Sequence, residues 1–263
     1  MNRILAIAKR ELNSYLKTPV GWILLAIFAL LSGLIFSLQI QQRYVMIAAE
    51  LQFILSLFFV LIPIITMRSF AEERKEGTDV LLMTSPATVM EIVIGKYLAC
   101  VTLFLIMTSI TLIHVFITLL FDGVIDMQTL GTYIAFIFTG LAYIAIGIFC
   151  SAITESQVTA AIVSAVIFVS FQLLSAIASI AGNLLYSAIN RIDQAFDLIN
   201  PQTEQAIGQG LTNAILWLNP STRLQNFSRG IFELAPLIFL ISYVVFFLYL
   251  TSQVIEKRRW SQG

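Results

Sequence analysis

Glu72, Glu73, Arg74, Lys75 and Glu76 stand consecutively in a chain of 263 residues that holds only 15 Lys and Arg and 15 Asp and Glu. Side chains of these types can dock a charged partner, and the question they raise is what such a chain needs to dock. The remaining chemistry-bearing residues are sparse. His114 is the only histidine, which excludes metalloprotease and multi-histidine metal chemistry. No Gly-x-Ser-x-Gly nucleophile elbow is present, and no pair of carboxylates falls within an apolar run. Gly95-Lys96 is followed by Tyr97, and Met90 stands five residues before Gly95, so there is no phosphate-binding glycine loop. The chain is therefore not expected to hydrolyse a nucleotide itself. Cys100 and Cys150 both lie in apolar runs and read as small packing residues rather than a disulfide or a metal site.

The elements that must position these residues are set by composition. Hydrophobic residues make up 59% of the chain, charged residues 11%, and mean hydropathy is +0.91. A soluble domain carries about a quarter charged residues. This one lacks the polar surface to cover a water-soluble globule. Net charge is zero, which offers no attraction for nucleic acid. The fold class expected is an all-α polytopic membrane protein.

A bilayer core of about 30 Å takes roughly 20 apolar residues per helix. Six segments qualify, at 20–40, 51–68, 92–121, 129–153, 157–182 and 235–255. They contain essentially no Asp, Glu, Lys or Arg away from their ends, which disfavours proton coupling. His114, deep in the third span, reads as a hydrogen-bonded interior residue in preference to a proton relay, and counts with the polar residues that could line a pathway or pack helices. Span five carries an uncharged polar line, Ser164, Ser170, Gln172, Ser175 and Ser179. Gln172 must face protein or a water-filled path. Helix–helix hydrogen bonding and substrate contact both stay open for it, as for Ser170 and Ser175.

Six spans place both termini and the 69–91 and 154–156 connections on one side. That side holds Arg3, Lys9, Arg10, Lys17, Arg68, Arg74, Lys75, Lys96, Lys257, Arg258 and Arg259, against Arg43, Arg191, Arg223 and Arg229 on the other. By the distribution of basic residues the first side is cytoplasmic. Residues 1–17 mix Arg3, Lys9, Arg10 and Lys17 with Glu11 and lack a small-x-small cleavage site, so a cleavable signal is not expected. Within 2–17, Ile4, Leu5, Ala8, Leu12, Tyr15 and Leu16 share one helical face and the basic residues much of the rest, the pattern of an interfacial helix. Residues 183–234 hold two further amphipathic patterns, one from Leu184 to Ile199 and one from Ile207 to Leu218, predicting extracytoplasmic helices.

The 69–91 segment has ordered start and stop signals. Ser69 with Glu72 predicts a capping box, and Gly77-Thr78 ends that helix. Val80 to Met83 predicts a second short helix, broken at Thr84-Ser85-Pro86. Together they describe a compact cytoplasmic elbow, charged outside and apolar beneath.

At these residues the chain resembles a known family. RSFAEERKEGT followed by LLMTSPATVMEIVIGKYLA resembles the signature of membrane subunits of second-type ATP-binding-cassette exporters. LNPSTRLQNFSRGIFEL and FLYLTSQVIEKRRW are similar to the subfamily of gliding-motility and copper-enzyme-maturation permeases. The resemblance implies a non-catalytic permease of the bacterial inner membrane, both termini cytoplasmic. It implies a separate cytosolic ATPase that binds ATP and Mg, this chain binding no cofactor. A second membrane subunit would complete a homodimer or heterodimer, and an extracytoplasmic or membrane-anchored partner is a further expectation. Glu72, Glu73, Arg74, Lys75, Glu76, Gly77 and Thr78 would face the ATPase. Asp79-Val80 stands where many relatives have Leu-Glu. A subunit that transmits force to an external partner without transport is the alternative, and an ion-coupled carrier or channel a third reading.

Overall fold

The computed structural model describes residues 2–77, 87–121, 123–196, 201–217, 219–220 and 222–261. All regular structure among them is helical. Helix α1 spans Asn2–Lys17 and α2 Pro19–Gln41; α3 spans Ile47–Ser56, α4 Phe58–Thr66 and α5 Arg68–Lys75. Helix α6 covers Val89–Leu120, α7 Met127–Ile153, α8 Gln157–Phe196, α9 Pro201–Leu216 and α10 Leu234–Ser261, with 3₁₀ turns at Thr222–Leu224 and Phe227–Arg229. Five helices, α2, α6, α7, α8 and α10, are long and apolar enough to cross a bilayer. Among the described residues the count rises to six where the bent pair α3–α4 is taken as one broken span.

That second span is broken by 62°, and the backbone shows how. Val60 N–H bonds Leu57 O at 2.9 Å in a tightened turn, leaving Ser56 O without its usual helical donor. Gln172 Nε2 on α8 donates to Ser56 O at 2.7 Å. The polar side chain in span five thus joins two helices across the break.

Helix α7 is the most enclosed span and forms the centre of the bundle. Phe58, Phe104, Phe136 and Tyr143 pack edge-to-face and stacked around it, joining α4, α6 and α7. The outer spans α2 and α10 keep most of their apolar side chains on the exterior, as a lipid solvent permits.

Helix α8 differs from the sequence expectation. A span at 157–182 followed by a separate amphipathic helix was predicted; the helix instead runs unbroken to Phe196. Its 40 residues extend about 60 Å at about 1.5 Å per residue, roughly twice the bilayer core. The Leu184–Ile199 pattern therefore continues the span up to Phe196, its last residues lying outside the described ones. Helix α9 folds back on α8, with Thr212 Oγ1 donating to Ala178 O at 3.2 Å.

Candidate functional site

The charged run falls on α5, an eight-residue helix that only Met67 separates from the second span. Met67 is itself helical in conformation, with φ −56° and ψ −33°, so no extended residue exists near Ser69 to act as a cap. The predicted Ser69–Glu72 box is accordingly absent. Ser69 lies inside the helix with its hydroxyl buried and without a partner among the described residues. Glu72 instead accepts two hydrogen bonds from Arg68, each 2.8 Å. A capping box does form at the entry to α6: Glu91 N–H donates to Thr88 Oγ1, and Thr88 N–H to Glu91 Oε2.

What caps α5 comes from another span. Ser151 Oγ on α7 accepts from Phe70 N–H at 3.0 Å and Ala71 N–H at 3.1 Å, and donates to Met67 O at 3.1 Å. Two of the donors that a helix start leaves unpaired are satisfied this way. At the far end of α5, Arg74 reaches the last carbonyls of α7, donating to Ala152 O at 2.6 Å and to Thr154 O. A cation at a helix C-terminus also complements its dipole. Helix α5 is thus pinned at both ends to the central span.

A third attachment runs through Lys96 near the start of α6. Its side chain is 1% exposed. Nζ lies 2.8 Å from Glu73 Oε1, 3.4 Å from Glu11 Oε1 on α1, and 2.5 Å from Ser69 O; it also sits 5.0 Å from the centre of the Phe70 ring. One ammonium therefore ties the N-terminal helix, the elbow and span three together. The close approach of α1 to α6 needs Gly95, where a Cβ would come within 2.7 Å of Ile7. Burial holds the Glu73 carboxyl above its ordinary range, against the opposing pull of Lys96. Burial likewise drives the Tyr15 phenol well above its ordinary value. Tyr15 Oη donates to Ile65 O at 2.7 Å, fixing α1 to the end of the second span.

The run thus divides in two. Glu72, Glu73 and Arg74 are half-buried and bonded within the chain, whereas Lys75, Glu76 and Gly77 are exposed. Gly77 has φ +68°, the left-handed conformation that ends a helix. Thr78 and the predicted 80–83 helix lie outside the described residues. On α1, Arg3, Lys9, Arg10 and Lys17 are exposed; Arg10 pairs with Glu11 at 2.9 Å and approaches Glu73 at 3.8 Å. The packed face of α1 includes Ile7 and Glu11, which the sequence pattern omits, while Leu5 faces out.

The residues expected inside the membrane separate. Ser170 bonds its own backbone at Val166 O. Ser175 lies 3.4 Å from Asn219 Nδ2, beside the α8–α9 hairpin. His114 meets Glu50, with Nδ1 2.8 Å from Oε1. Glu50 falls just outside the span expected at 51–68; it is wholly buried on α3, so the bundle does hold an ionisable pair. Only its distance from a span end marked it in the sequence, and three residues are enough to enter the core.

A bundle of spans with a short helix clamped to them defines a multi-pass membrane protein. Residues 5–261 match the model of the ABC-2 family transporter protein, and the chain belongs to that family. No curated protein matches it. The membrane components of this family pair with an ATP-binding-cassette ATPase and a membrane subunit, and are typically not catalytic.

Proposed function

We propose that this chain is the permease subunit of an exporter, coupling hydrolysis of MgATP by a separate cytosolic ATPase to substrate movement. The observation that carries the reading is the double clamp of α5 on α7 through Ser151 and Arg74. A helix fastened in this way can pass a displacement to the central span instead of absorbing it. Lys75, Glu76 and Gly77 offer the contact surface, and Glu72, Glu73 and Arg74 hold that surface to the bundle. The chain sits in the bacterial inner membrane with both termini cytoplasmic, pairs with a second membrane subunit, as homodimer or heterodimer, and binds no cofactor of its own.

The test is co-purification of the ATPase from detergent extracts after charge reversal. Lys75→Glu with Glu76→Lys should abolish co-purification while the melting temperature of the permease stays unchanged. Retained ATPase would sink the assignment. Reversal at Glu72 and Glu73 should also lose the ATPase, but with a lowered melting temperature.

Force transmission to an extracytoplasmic partner is favoured by one feature, the length of α8. About half of it exceeds the bilayer core, and α9 stiffens that half. Export of a reporter substrate by proteoliposomes lacking any external partner would overturn this second reading.

A further inference from the structure

Thr132 and Thr139 stand two turns apart on α7, and both are buried. A threonine inside a helix usually returns its hydroxyl to a carbonyl three or four residues back. Thr132 does so to Gln128 O at 2.8 Å, as Thr108 does to Phe104 O and Thr118 to His114 O. Thr139 is the exception. It is 1% exposed, yet its hydroxyl has no hydrogen-bond partner among the described residues. It lines a cavity of about 470 Å³ instead, a size suited to a small ligand.

The lining of this cavity sorts by depth. Ala135, Phe136 and Thr139 of α7, all buried, form its floor together with Leu51 of α3. Its mouth carries Gln52 of α3 with Gln225 and Arg229 of the 3₁₀ turns, all exposed, and Ser228 beside them. Thr132, also in the lining, lies about 10 Å along α7 from Thr139, towards the end of that helix away from α5. Arg229 is the one cation of the lining, and no acid accompanies it. Among the described residues the Arg229 side chain has no ion pair or hydrogen bond, and neither do Gln52, Gln225 and Ser228.

The turn that carries Arg229 is nonetheless firmly placed. Phe227 is 1% exposed, and its carbonyl lies where a Cβ on Gly131 of α7 would stand, so only glycine lets the two backbones approach. Backbone packing, not a partner for its charge, therefore holds Arg229 at the mouth.

A guanidinium, two primary amides and a hydroxyl suit the several oxygens of a phosphate monoester. A free anion would leave Leu51, Ala135 and Phe136 without an apolar partner, and a neutral lipid would leave Arg229 without a counter-charge. An acyl lipid with a phosphate headgroup matches both ends, and its ester carbonyl supplies the acceptor that Thr139 lacks. We propose that this cavity binds such an anionic acyl lipid, its phosphate against Arg229, its ester carbonyl accepting from Thr139 and its chain over Ala135 and Phe136. The site does not rest on the ATPase assignment, and its test needs the permease alone.

Native mass spectrometry of the full chain, released from a neutral maltoside detergent, separates the sources of this chemistry. The probes are oleoyl lysophosphatidic acid, glycerol phosphate as the headgroup without a chain, and monooleoylglycerol as the chain without a charge. One lysophosphatidic acid should bind per chain, at least roughly tenfold more tightly than either of the others. Arg229→Gln should weaken that binding roughly tenfold, with Arg229→Lys retaining part of it, and Thr139→Val should weaken it roughly threefold. The melting temperature of Arg229→Gln should match wild type, since Arg229 is exposed. A wild-type protein that binds no lysophosphatidic acid overturns the proposal whatever the variants do. Equal binding of glycerol phosphate would make this a free-anion site, and equal binding of monooleoylglycerol a merely apolar one; either overturns it. So does an affinity left unchanged by Arg229→Gln or by Thr139→Val.

Discussion

Lys96 Nζ and Glu73 Oε1 lie 2.8 Å apart, an ion pair that helps join span three to the elbow helix. The lysine is fully enclosed, and Glu11 of α1 shares it at 3.4 Å. Removing the cation leaves two carboxylates facing each other beside an apolar ring. Lys96→Met keeps the stem volume and should cost about 3–5 kcal/mol, the usual penalty for leaving buried charge uncompensated. In a detergent melt it should fall well below Glu73→Gln, which leaves the lysine with Glu11 and Ser69 O. Equal melting temperatures would show that the ammonium does not hold the three helices.

Glu73 itself should make stability depend on pH in a direction unusual for a carboxylate. Its folded value is raised, burial outweighing Lys96. The folded state therefore binds this proton more tightly than the unfolded chain. The associated stability is complete below the ordinary glutamate range and is lost as pH rises through the raised folded value. The melting-temperature difference between wild type and Glu73→Gln should accordingly move against the wild type as pH increases from about 4 to about 7. A difference moving the other way would mean that Lys96 dominates.

Ser151→Ala should loosen α5 without disturbing α7. The hydroxyl bonds three backbone groups of the elbow, and loss of a helix cap costs about 1–2 kcal/mol. Hydrogen exchange should accelerate across 68–75 and stay unchanged across 140–150. Coupled ATPase activity of the assembled complex should fall, while the exposed Lys75 and Glu76 still capture the partner. Unchanged exchange at 68–75 would remove Ser151 from the clamp.

Much of this architecture was legible in the sequence because apolar run length is decisive in lipid: an all-α bundle of several membrane-crossing helices was expected, and five candidate spans, or six with the bent pair, are found among the described residues. The clamp was not legible, and the reason is distance along the chain. Ser151 and Phe70 are separated by 81 residues, and a serine near the end of an apolar run has no local signature. Ser69 had such a signature and misled, since helical Met67 carries the chain from α4 into α5 without the extended residue a cap requires. Gln172 was recognised as needing a polar partner. The identity of that partner depended on the break at Ser56, which no glycine marks and which Pro63 follows only after a further turn. Glu50 was hidden by the same break, because the span begins at Ile47, earlier than its most apolar stretch.

Gly147 should tolerate no side chain at all. It faces Thr66 at the end of α4, and a Cβ there would come within 2.3 Å of Thr66 Oγ1, 2.9 Å of its Cβ and 3.0 Å of its Cγ2. Thr66 cannot swing away freely, because it is wholly buried and its hydroxyl donates to Ile62 O at 3.0 Å. Gly147→Ala must therefore push α4 from α7, at a cost of about 1–3 kcal/mol, despite alanine's better helix propensity. Gly33→Ala, where nothing lies within 4 Å, should instead stabilise by up to about 1 kcal/mol. Thr66→Ala in the Gly147→Ala background removes two of the three close contacts and should restore part of the loss. Detergent melts of the four proteins decide the matter: equal effects of the two glycine substitutions would mean that α4 and α7 do not pack as closely as the geometry at Gly147 requires.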